Sequence, residues 1–337
     1  MLVATGRLIQ TSSGHVTHSA TSKIFTSDHP AGNLFRVMFD HGLRGYVHWP
    51  EYFARYGNRE PAGPANNPFT LAWGHPERNM WEMIASDEEK QRIFASSMRS
   101  MDSIAGKYGG PASVYDFSWL GEEAAQTRTS SDITNGKTEP RALIVDVGGS
   151  HGATLKHIIQ AMPSIPPERC VLQDRPEVIE EAIQIDDPAL RQVRRMSHDF
   201  NAEQPVKGKC LPTYLRVSLT KVKEPLISHF LGALIYLLRR VLHDYADEYA
   251  VRILTPLAQA LPRGDPRARV LIMEQIVSDP PSPGNAAADL VMFNIGGKER
   301  SESMWSVLVR EAGLKVVKIH RKPGTEVGVV ECARLEL

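Results

Sequence analysis

A glycine-rich turn near the middle of the chain has the composition of a cofactor site. The segment IVDVGGSHG, residues 144–152, indicates a strand that ends in a turn with Gly148, Gly149 and Gly152 and is followed by a helix. Backbone without side chains lets a ligand approach closely. Asp146, two residues before the first glycine, would repel the pyrophosphate of a dinucleotide but attract an ammonium group. The turn therefore predicts a cofactor with an α-amino group, the alternative being an ordinary tight turn without a ligand.

A second carboxylate, Asp174, closes the predicted strand CVLQD and follows Gly152 by 22 residues. At that place in a nucleotide-binding sheet, a carboxylate can accept hydrogen bonds from both hydroxyls of a ribose. The alternative is that Asp174 caps the next helix, because Pro176 suits a first helical turn. Ribose binding is the expectation for Asp174.

His243 is the third candidate, and its chemistry is proton transfer. It follows the apolar run LIYLLRRVL and precedes a helix predicted to start near Asp244, which places it at the carboxyl end of a sheet strand. Open α/β sheets bind their ligands at that edge. An imidazole titrates close to neutral pH and can exchange a proton there. The chain holds 12 histidines, so position is what distinguishes this one from a structural histidine.

The elements that must hold these residues alternate in type. From Ala142 onward, short apolar runs such as LIVDV, CVLQD, VRRM, ALIYLL and RVLIMEQIV alternate with amphipathic segments. This alternation predicts a doubly wound parallel sheet. The runs VVKIH and GVVEC flank a Pro-Gly turn, which predicts a closing antiparallel pair.

The part before the sheet has a different pattern. Short apolar runs and Gly/Ser/Thr turns from Leu2 to about Phe25 predict a small β-hairpin, and the spacing from Leu34 to Met101 predicts helices. A hairpin at the start needs cover for its apolar face, so either a preceding helical segment is missing, which we favour, or a partner chain covers it. Residues 121–140, with one large apolar residue, predict a linker.

Composition excludes several partners. The chain has 39 basic and 39 acidic residues and no run of five Lys or Arg, so nothing favours nucleic acid or an anionic membrane surface. No apolar stretch approaches the length that crosses a bilayer. Three isolated cysteines and the lack of a signal-peptide pattern predict a cytoplasmic protein without a metal site. The expected partner is a small molecule.

As an ordered set, several segments resemble the fungal aromatic O-methyltransferases of secondary metabolism, of the sterigmatocystin type, which are relatives of plant caffeate and flavonoid O-methyltransferases. The segments are VDVGGSHG, CVLQDRPEVI, HDF, LRRVLHDYADE, GGKER and AGLKVVKI, together with EYFARYGNREP and YDFSWL. The resemblance implies a Rossmann-like methyltransferase domain over 141–337. It also implies a truncated, mainly helical, winged-helix-like dimerisation and substrate-lid domain over 1–120, with the hairpin as its wing, and hence a homodimer.

The same resemblance implies S-adenosyl-L-methionine as the cofactor. Asp146, Gly148 and Gly152 would line its methionine end, and Asp174 its ribose. The adenine would lie beside Asp199 and Phe200, and the basic Arg239 would reach the cofactor. Ser150 stands where glycine is commoner in the family, a mild departure.

Methyl transfer to oxygen requires removal of a proton, because a neutral phenol is a poor nucleophile. The resemblance makes His243 the general base and gives Glu274, at the end of the strand RVLIME, and Glu299, in GGKER, the role of holding it. An imidazole titrates near about 6.5 and a phenol near about 10, so carboxylates must stabilise the imidazolium that forms. The alternative for each glutamate is a surface salt bridge or a helix cap.

Four positions match the family's substrate pocket, Phe94, Met98, Met292 and Asn294, and imply a small hydroxylated aromatic acceptor. An apolar pocket suits the reaction, because excluding water strengthens the action of the base. Phe94 and Met98 lie four residues apart on one predicted helix face, and plain core packing explains that spacing equally well. Metal-assisted transfer to a catechol has no His/Asp/Glu cluster with ligand spacing to support it.

Residues 211–232 depart from the resemblance. The family runs almost directly from HDFNAEQPVKGKC into ALIYLLRRVLHDY, so this segment is predicted to be inserted. The explanation that we favour is a translated intron or gene-model error, and the alternative is a genuine insertion. The insertion and the truncated start leave a catalytically impaired methyltransferase-fold protein as one rival. The other rival is an NAD(P)-dependent oxidoreductase. It is disfavoured by Asp146 and by Ser150, which stands where the dinucleotide-binding motif GxGxxG has its second glycine.

Overall fold

The structure is a computed structural model that describes residues 2–26, 28–107, 110–129, 141–207 and 232–336. The chain divides into two compact units, neither continuous in sequence. The first unit holds Met1–Tyr108 and Asp289–Gly297, and the second holds Gly109–Ala288 and Lys298–Leu337. Within the described ranges, no helix is long and apolar enough to cross a membrane.

The first unit is mainly helical, with the predicted hairpin at its start. The hairpin strands β1 (Leu8–Gln10) and β2 (Val16–His18) pair antiparallel and are followed by one turn of helix, α1 (Ala20–Lys23). A π-helical turn over Phe39–Leu43 joins α2 to α3. The remaining helices of this unit are α2 (Pro30–Met38), α3 (Arg44–Val47), α4 (Trp49–Tyr56), α5 (Pro68–Ala72), α6 (Met80–Ala85) and α7 (Glu88–Lys107).

Two capping boxes start short helices in this unit. Asn67 Oδ1 accepts the Thr70 N–H at 2.9 Å before α5, and Asn79 Oδ1 accepts the Glu82 N–H at 2.9 Å before α6. Asn67 is fully buried, and its Nδ2 also donates to the carbonyls of Pro64 and Ile295 at 2.8 and 3.0 Å. Asn67 therefore holds α5, its preceding loop and residues 289–297 together.

The second unit is built on an eight-stranded sheet. The strands are β3 (Ala142–Val147), β4 (Cys170–Asp174), β5 (Arg194–Ser197), β6 (Ala233–Arg239), β7 (Arg269–Val277), β8 (Arg300–Ser301), β9 (Leu314–Arg321) and β10 (Val327–Arg334). Their order is β5-β4-β3-β6-β7-β10-β9, with β8 beside β7. The first five in that order are parallel, and β10 is antiparallel to both neighbours.

Apolar side chains cover both faces of this sheet. All residues of β3 are buried, as expected for a parallel strand between two helical layers. On one face Val145 packs in a cluster with Leu254 of α11 and Trp305 of α13, and on the other Ile144 packs in a cluster with Leu155 of α9. The helices of this unit are α8 (Ser118–Thr129), α9 (Ala153–Ala161), α10 (Pro176–Ile185), α11 (Asp247–Ala260), α12 (Pro283–Ile295) and α13 (Glu302–Glu311), with the end of α12 in the first unit.

The Rossmann-like α/β sheet and the closing antiparallel pair predicted from the sequence are therefore confirmed. The predicted linker over 121–140 is wrong for its first part, because residues 121–129 continue helix α8. Glu, Ala, Gln and Arg favour helix, and Leu120 and Ala124, four residues apart, bury enough surface to dock it. Residues 130–140 lie outside the described residues, as does the predicted insertion 211–232 except Gly232.

We expect Asn67→Ala to lower the free energy of unfolding of the first unit by about 2–4 kcal/mol, because it removes a cap and leaves two buried carbonyls without a donor. The matched change Asn79→Ala removes the same kind of cap at a more exposed position and is expected to cost only about 1 kcal/mol. Urea unfolding followed by tryptophan fluorescence measures both. Equal losses in the two variants would contradict the role given to the buried amide.

Candidate functional site

The glycine turn after β3 lies tightly against β4. The N–H groups of Gly148 and Gly149 both donate to the carbonyl of Gln173, at 2.9 and 3.1 Å. Gly148 and Gly152 have φ values of +68° and +83°, a conformation that favours glycine. Ser150, where the resemblance expects glycine, has a φ of +53° and occupies the same left-handed region.

Gly149 makes the closest approach in this turn, although it was not among the predicted cofactor residues. A Cβ atom on Gly149 would lie 2.6 Å from the carboxylate of Asp146 and 2.6 Å from the Leu172 side chain. Asp146 itself is fully buried in β3. Gly149 could have been noticed in the sequence as the middle glycine of the turn. Its close contact with Asp146 and Leu172 depends on the fold and could not.

Asp174 is held at the carboxyl end of β4 by two backbone donors. Its Oδ2 accepts the Ser150 N–H and its Oδ1 accepts the Arg175 N–H, both at 2.8 Å. Burial raises the pKa of Asp174, and these two backbone hydrogen bonds oppose that rise. The N-cap of α10 is Arg175, without a side-chain cap. The helix-cap alternative for Asp174 is therefore not observed, and the carboxylate instead joins the end of β4 to the glycine turn.

The segment after β5 carries Asp199 and Phe200. Phe200 packs edge to face on Tyr245, with ring centroids 6.0 Å apart, and Asp199 is exposed and accepts the Asn201 N–H at 2.9 Å. A reciprocal amide pair fixes this segment to the sheet, because Gln204 and Gln173 exchange hydrogen bonds of 2.8 and 2.9 Å while fully or almost fully buried. Sequence reasoning missed Gln204, which has no distinguishing pattern around it.

Arg239 ends β6, and its guanidinium lies 3.4 Å from the Thr154 hydroxyl in the first turn of α9. This contact joins the carboxyl end of β6 to the helix that follows the glycine turn. The turn also lies beside the segment after β6, because a Cβ on Gly148 would meet Val241 at 3.0 Å. The predicted cofactor residues of the second unit therefore converge on one edge of its sheet.

His243 lies on this edge, in a 3-10 turn over Leu242–Asp244, and α11 begins only at Asp247 rather than near Asp244. The imidazole is buried, and its Nδ1 lies 2.9 Å from Glu299 Oε1, which is hydrogen-bond distance. Glu274 Oε2 is 3.9 Å from the same nitrogen. The structure therefore brings the three predicted catalytic residues together.

Glu274 does more than face the imidazole. Its Oε1 accepts the N–H groups of Val241 and Leu242 at 2.9 and 3.0 Å, which anchors the backbone that leads to His243. It lies inside β7, which continues to Val277, and not at the strand end expected from the sequence. The salt-bridge or cap alternative at the surface is wrong for Glu274 and Glu299, because both are buried.

Carboxylates dominate the electrostatics of this site. Burial alone would lower the pKa of His243, but Glu274, Asp244 and the hydrogen bond to Glu299 outweigh burial and the opposing Arg240, and raise it to about 9. Burial also raises the pKa values of Glu274 and Asp244, and the nearby imidazole opposes that rise. Asp244, whose Oδ1 lies 3.5 Å from His243 Nε2, was missed as a site residue although it adjoins the histidine.

The predicted substrate residues all belong to the first unit. Phe94 and Met292 pack against a buried cluster of Phe69, Met80, Met83, Ile84 and Ile295. Met98 is partly buried on α7, and Asn294 is fully buried. Asn294 Oδ1 accepts the Trp49 indole N–H at 2.7 Å and its Nδ2 donates to the Gly42 carbonyl at 3.1 Å. The contacts of Phe94, Met292 and Asn294 are those of a core, which for Phe94 is the alternative raised from the sequence.

The family profile and two similar curated sequences agree on one family, the methyltransferases. The sequence profile of the O-methyltransferase domain family matches residues 115–209 and 227–315, and the break between them, residues 210–226, overlaps most of the predicted insertion but not its last part, 227–232. Methyltransferase cfoD of Aspergillus candidus is 42% identical over 99% of this chain and 74% of its own length. Methyltransferase pynC of Aspergillus niger is 36% identical over 98% of this chain and 80% of its own length.

Solved structures share the fold. The crystal structure of OxaC in complex with SAH and oxaline matches with a TM-score of 0.75 and 24% identity, over 98% of this chain and 72% of OxaC. The mitomycin 7-O-methyltransferase MmcR matches with a TM-score of 0.70 and 23% identity, over 99% of this chain and 81% of MmcR. These likenesses extend over both units of the chain.

We expect Gly149→Ala to lower the free energy of unfolding of the second unit by about 1–3 kcal/mol, because its Cβ has no space above Asp146 and Leu172. The control is Gly284→Ala at the start of α12, where the nearest atom to a Cβ is 3.8 Å away and alanine should stabilise by about 0.4–1 kcal/mol. Thermal or denaturant unfolding measures both. A neutral Gly149→Ala would contradict the tight approach described for the turn.

Proposed function

This chain belongs to the S-adenosyl-L-methionine-dependent O-methyltransferase family, and we propose that it transfers a methyl group to a hydroxyl of a small aromatic polyketide or phenolic metabolite, with His243 as the general base. S-adenosyl-L-methionine is its cofactor. The observation that carries the proposal is the buried imidazole of His243, bonded to Glu299 and flanked by Glu274, on the same sheet edge as the glycine turn.

The residues around the turn fit this cofactor. The absence of a side chain on Gly149 lets the backbone of the turn lie directly on the buried Asp146 carboxylate, and a negative charge there suits the amino group of the methionine part. Asp174 keeps acceptor capacity beyond its two backbone hydrogen bonds, which suits the ribose hydroxyls. Phe200 and Asp199 offer a ring face and a carboxylate to the adenine, and Arg239 completes the set. When bound, the cofactor supplies an electrophilic methyl group on a sulfonium.

The arrangement of His243 defines which nitrogen acts. The Nδ1–H donates to Glu299, so the neutral imidazole has its lone pair on Nε2. Nε2 would accept the proton of the acceptor hydroxyl, and the cofactor would supply the methyl group to that oxygen and leave as S-adenosylhomocysteine. Glu274, Glu299 and Asp244 stabilise the imidazolium that this step forms. Because its pKa is about 9, His243 holds its proton at neutral pH, and turnover needs the minor neutral form.

Oxygen as the acceptor atom is supported by the family description and by a base suited to a hydroxyl proton. We propose that Phe94, Met98 and Met292 form the apolar wall of the acceptor pocket and that Asn294 is its polar member, as the resemblance implies. The family match sets aside the oxidoreductase considered from the glycine turn. The homodimer implied by the resemblance stays a prediction.

A catalytically impaired methyltransferase is the second candidate. The break in the family match between residues 209 and 227 is the observation that favours it, because a disrupted connection before β6 would affect the strand that leads to His243. Transfer of a labelled methyl group to a panel of phenolic polyketides, anthraquinones and flavonoids distinguishes the two. A labelled methyl group on a phenolic oxygen supports the proposed function. Cofactor binding without transfer to any acceptor supports the second candidate.

Asp174→Ala is expected to weaken binding of S-adenosylhomocysteine by about 1.5–3 kcal/mol, or roughly 10- to 100-fold, because hydrogen bonds to a charged acceptor are lost. Isothermal calorimetry measures this change. Asp186→Ala is the control, since that exposed carboxylate of the same unit pairs with Arg191 and should leave the affinity unchanged. Unchanged affinity in Asp174→Ala would remove Asp174 from the proposed site.

His243→Ala is expected to cut the methyl-transfer rate by about 10²–10⁴ without loss of cofactor binding, as for removal of a general base. In the parent protein kcat/KM should rise with pH up to about 9, where His243 becomes neutral, and the variant should lose this dependence. His320→Ala, which removes another histidine that lies within hydrogen-bond distance of a glutamate in the same unit, is the control. A parent-like rate in His243→Ala would refute the proposed base.

A further inference from the structure

We infer that Arg300 is a positioning residue for methyl transfer, whose guanidinium fixes the backbone on both sides of His243 and thereby holds the imidazole against Glu299. The inference rests on the proposed role of His243 as the base. Arg300 follows Glu299 directly in the chain, and its side chain is fully buried.

The contacts of Arg300 converge on the segment that carries His243. Its Nη1 donates to the Leu242 carbonyl at 3.0 Å, and its Nη2 donates to the Tyr245 carbonyl at 2.7 Å. Its Nε donates to Asp247 Oδ1 at 2.8 Å, at the start of α11. The guanidinium therefore spans His243, with one contact before it and two after it.

The backbone next to Arg300 completes this arrangement. The Lys298 N–H donates to the His243 carbonyl at 2.9 Å. The carbonyls of Leu242, His243 and Tyr245 are thus all bound by residues 298–300, whose middle member, Glu299, accepts from the imidazole. The distance between His243 Nδ1 and Glu299 is consequently set by contacts outside the two side chains.

Stability alone gives a poor account of this arginine. Its carboxylate partner, Asp247, is 52% exposed, so a fully buried cation is paired with a half-solvated anion. Buried ion pairs are often no more stabilising than apolar residues of similar volume. The planar fork of arginine, with several donors in fixed directions, suits the simultaneous binding of carbonyls that point differently. Positioning explains the choice of residue better than stabilisation does.

The substitution Arg300→Lys separates geometry from charge, because lysine keeps the cation but loses the fork. The matched control is Arg141→Lys, at the amino end of the sheet, where the arginine binds the Ala233 carbonyl and forms an ion pair with Asp265. Both changes remove an arginine fork from the second unit, fully buried at Arg300 and partly buried at Arg141. Only one of them touches the segment around His243.

The primary measurement is the titration of the His243 imidazole by NMR, assigned by comparison with His243→Gln, and it needs no acceptor. The charged groups that face this imidazole are Glu274, Asp244, Glu299 and Arg240. None of these changes in Arg300→Lys, so a shift in the titration reports geometry. We expect the midpoint to move to lower pH as the contact with Glu299 loosens, and to stay unchanged in Arg141→Lys.

Turnover is the second measurement. Arg300→Lys should lower kcat about 10- to 100-fold with unchanged cofactor affinity, the effect of a misplaced catalytic group. An unchanged titration midpoint in folded Arg300→Lys, or an equal shift in Arg141→Lys, would overturn the inference. If the titration shifts as expected but His243→Ala keeps its rate, Arg300 still positions the imidazole, but the proposed base is wrong and the role of Arg300 in methyl transfer is overturned with it.

A milder variant covers the case in which Arg300→Lys does not fold. Asp247→Asn changes a half-exposed side chain and keeps the acceptor oxygen, but it weakens the pair that orients the guanidinium. Its His243 midpoint should shift in the same direction by a smaller amount. A parent-like titration in folded Asp247→Asn, with Arg300→Lys unfolded, would count against Arg300 as a positioning residue.

Discussion

A buried imidazole among carboxylates is stable only when every charge keeps a fixed partner, and this requirement governs the sheet edge around His243. Glu274 bonds the backbone before the histidine with one oxygen and faces its ring with the other. Glu299 accepts from Nδ1. The site therefore tolerates little displacement of β6 against β7, since such movement would separate charges that cannot be solvated.

The sheet meets this requirement through its burial. In the parallel pair β6 and β7, Arg239 lies opposite Met273, so Glu274 follows one residue beyond the last paired position. Successive side chains point to opposite faces of a strand, and a slip of one residue would turn Glu274 away from His243. Apolar layers on both faces prevent that slip, because it would also exchange the two sets of core side chains.

The sequence predicts those features that depend on the periodic spacing of apolar residues and on where strands end. The alternation of apolar runs predicts the sheet, and the rule that ligands bind at the carboxyl ends of its strands predicts that Asp174 and His243 lie on that edge. It could not predict the contact of Gly149 with Asp146 or the pairing of Gln204 with Gln173, which join residues on separate elements. Helix α8 is not predicted, because Leu120 and Ala124 alone do not make a recognisable helical spacing of apolar residues.

Helix α12 belongs to both units, with Pro283–Ala288 in one and Asp289–Ile295 in the other. Met292 and Ile295 pack in the cluster that forms the core of the first unit. On a ribosome that core stays incomplete until five strands of the sheet, β3 to β7, have been translated. The part of the first unit that precedes the sheet must therefore wait with some of its apolar surface uncovered, and its maturation is coupled to synthesis of those five strands.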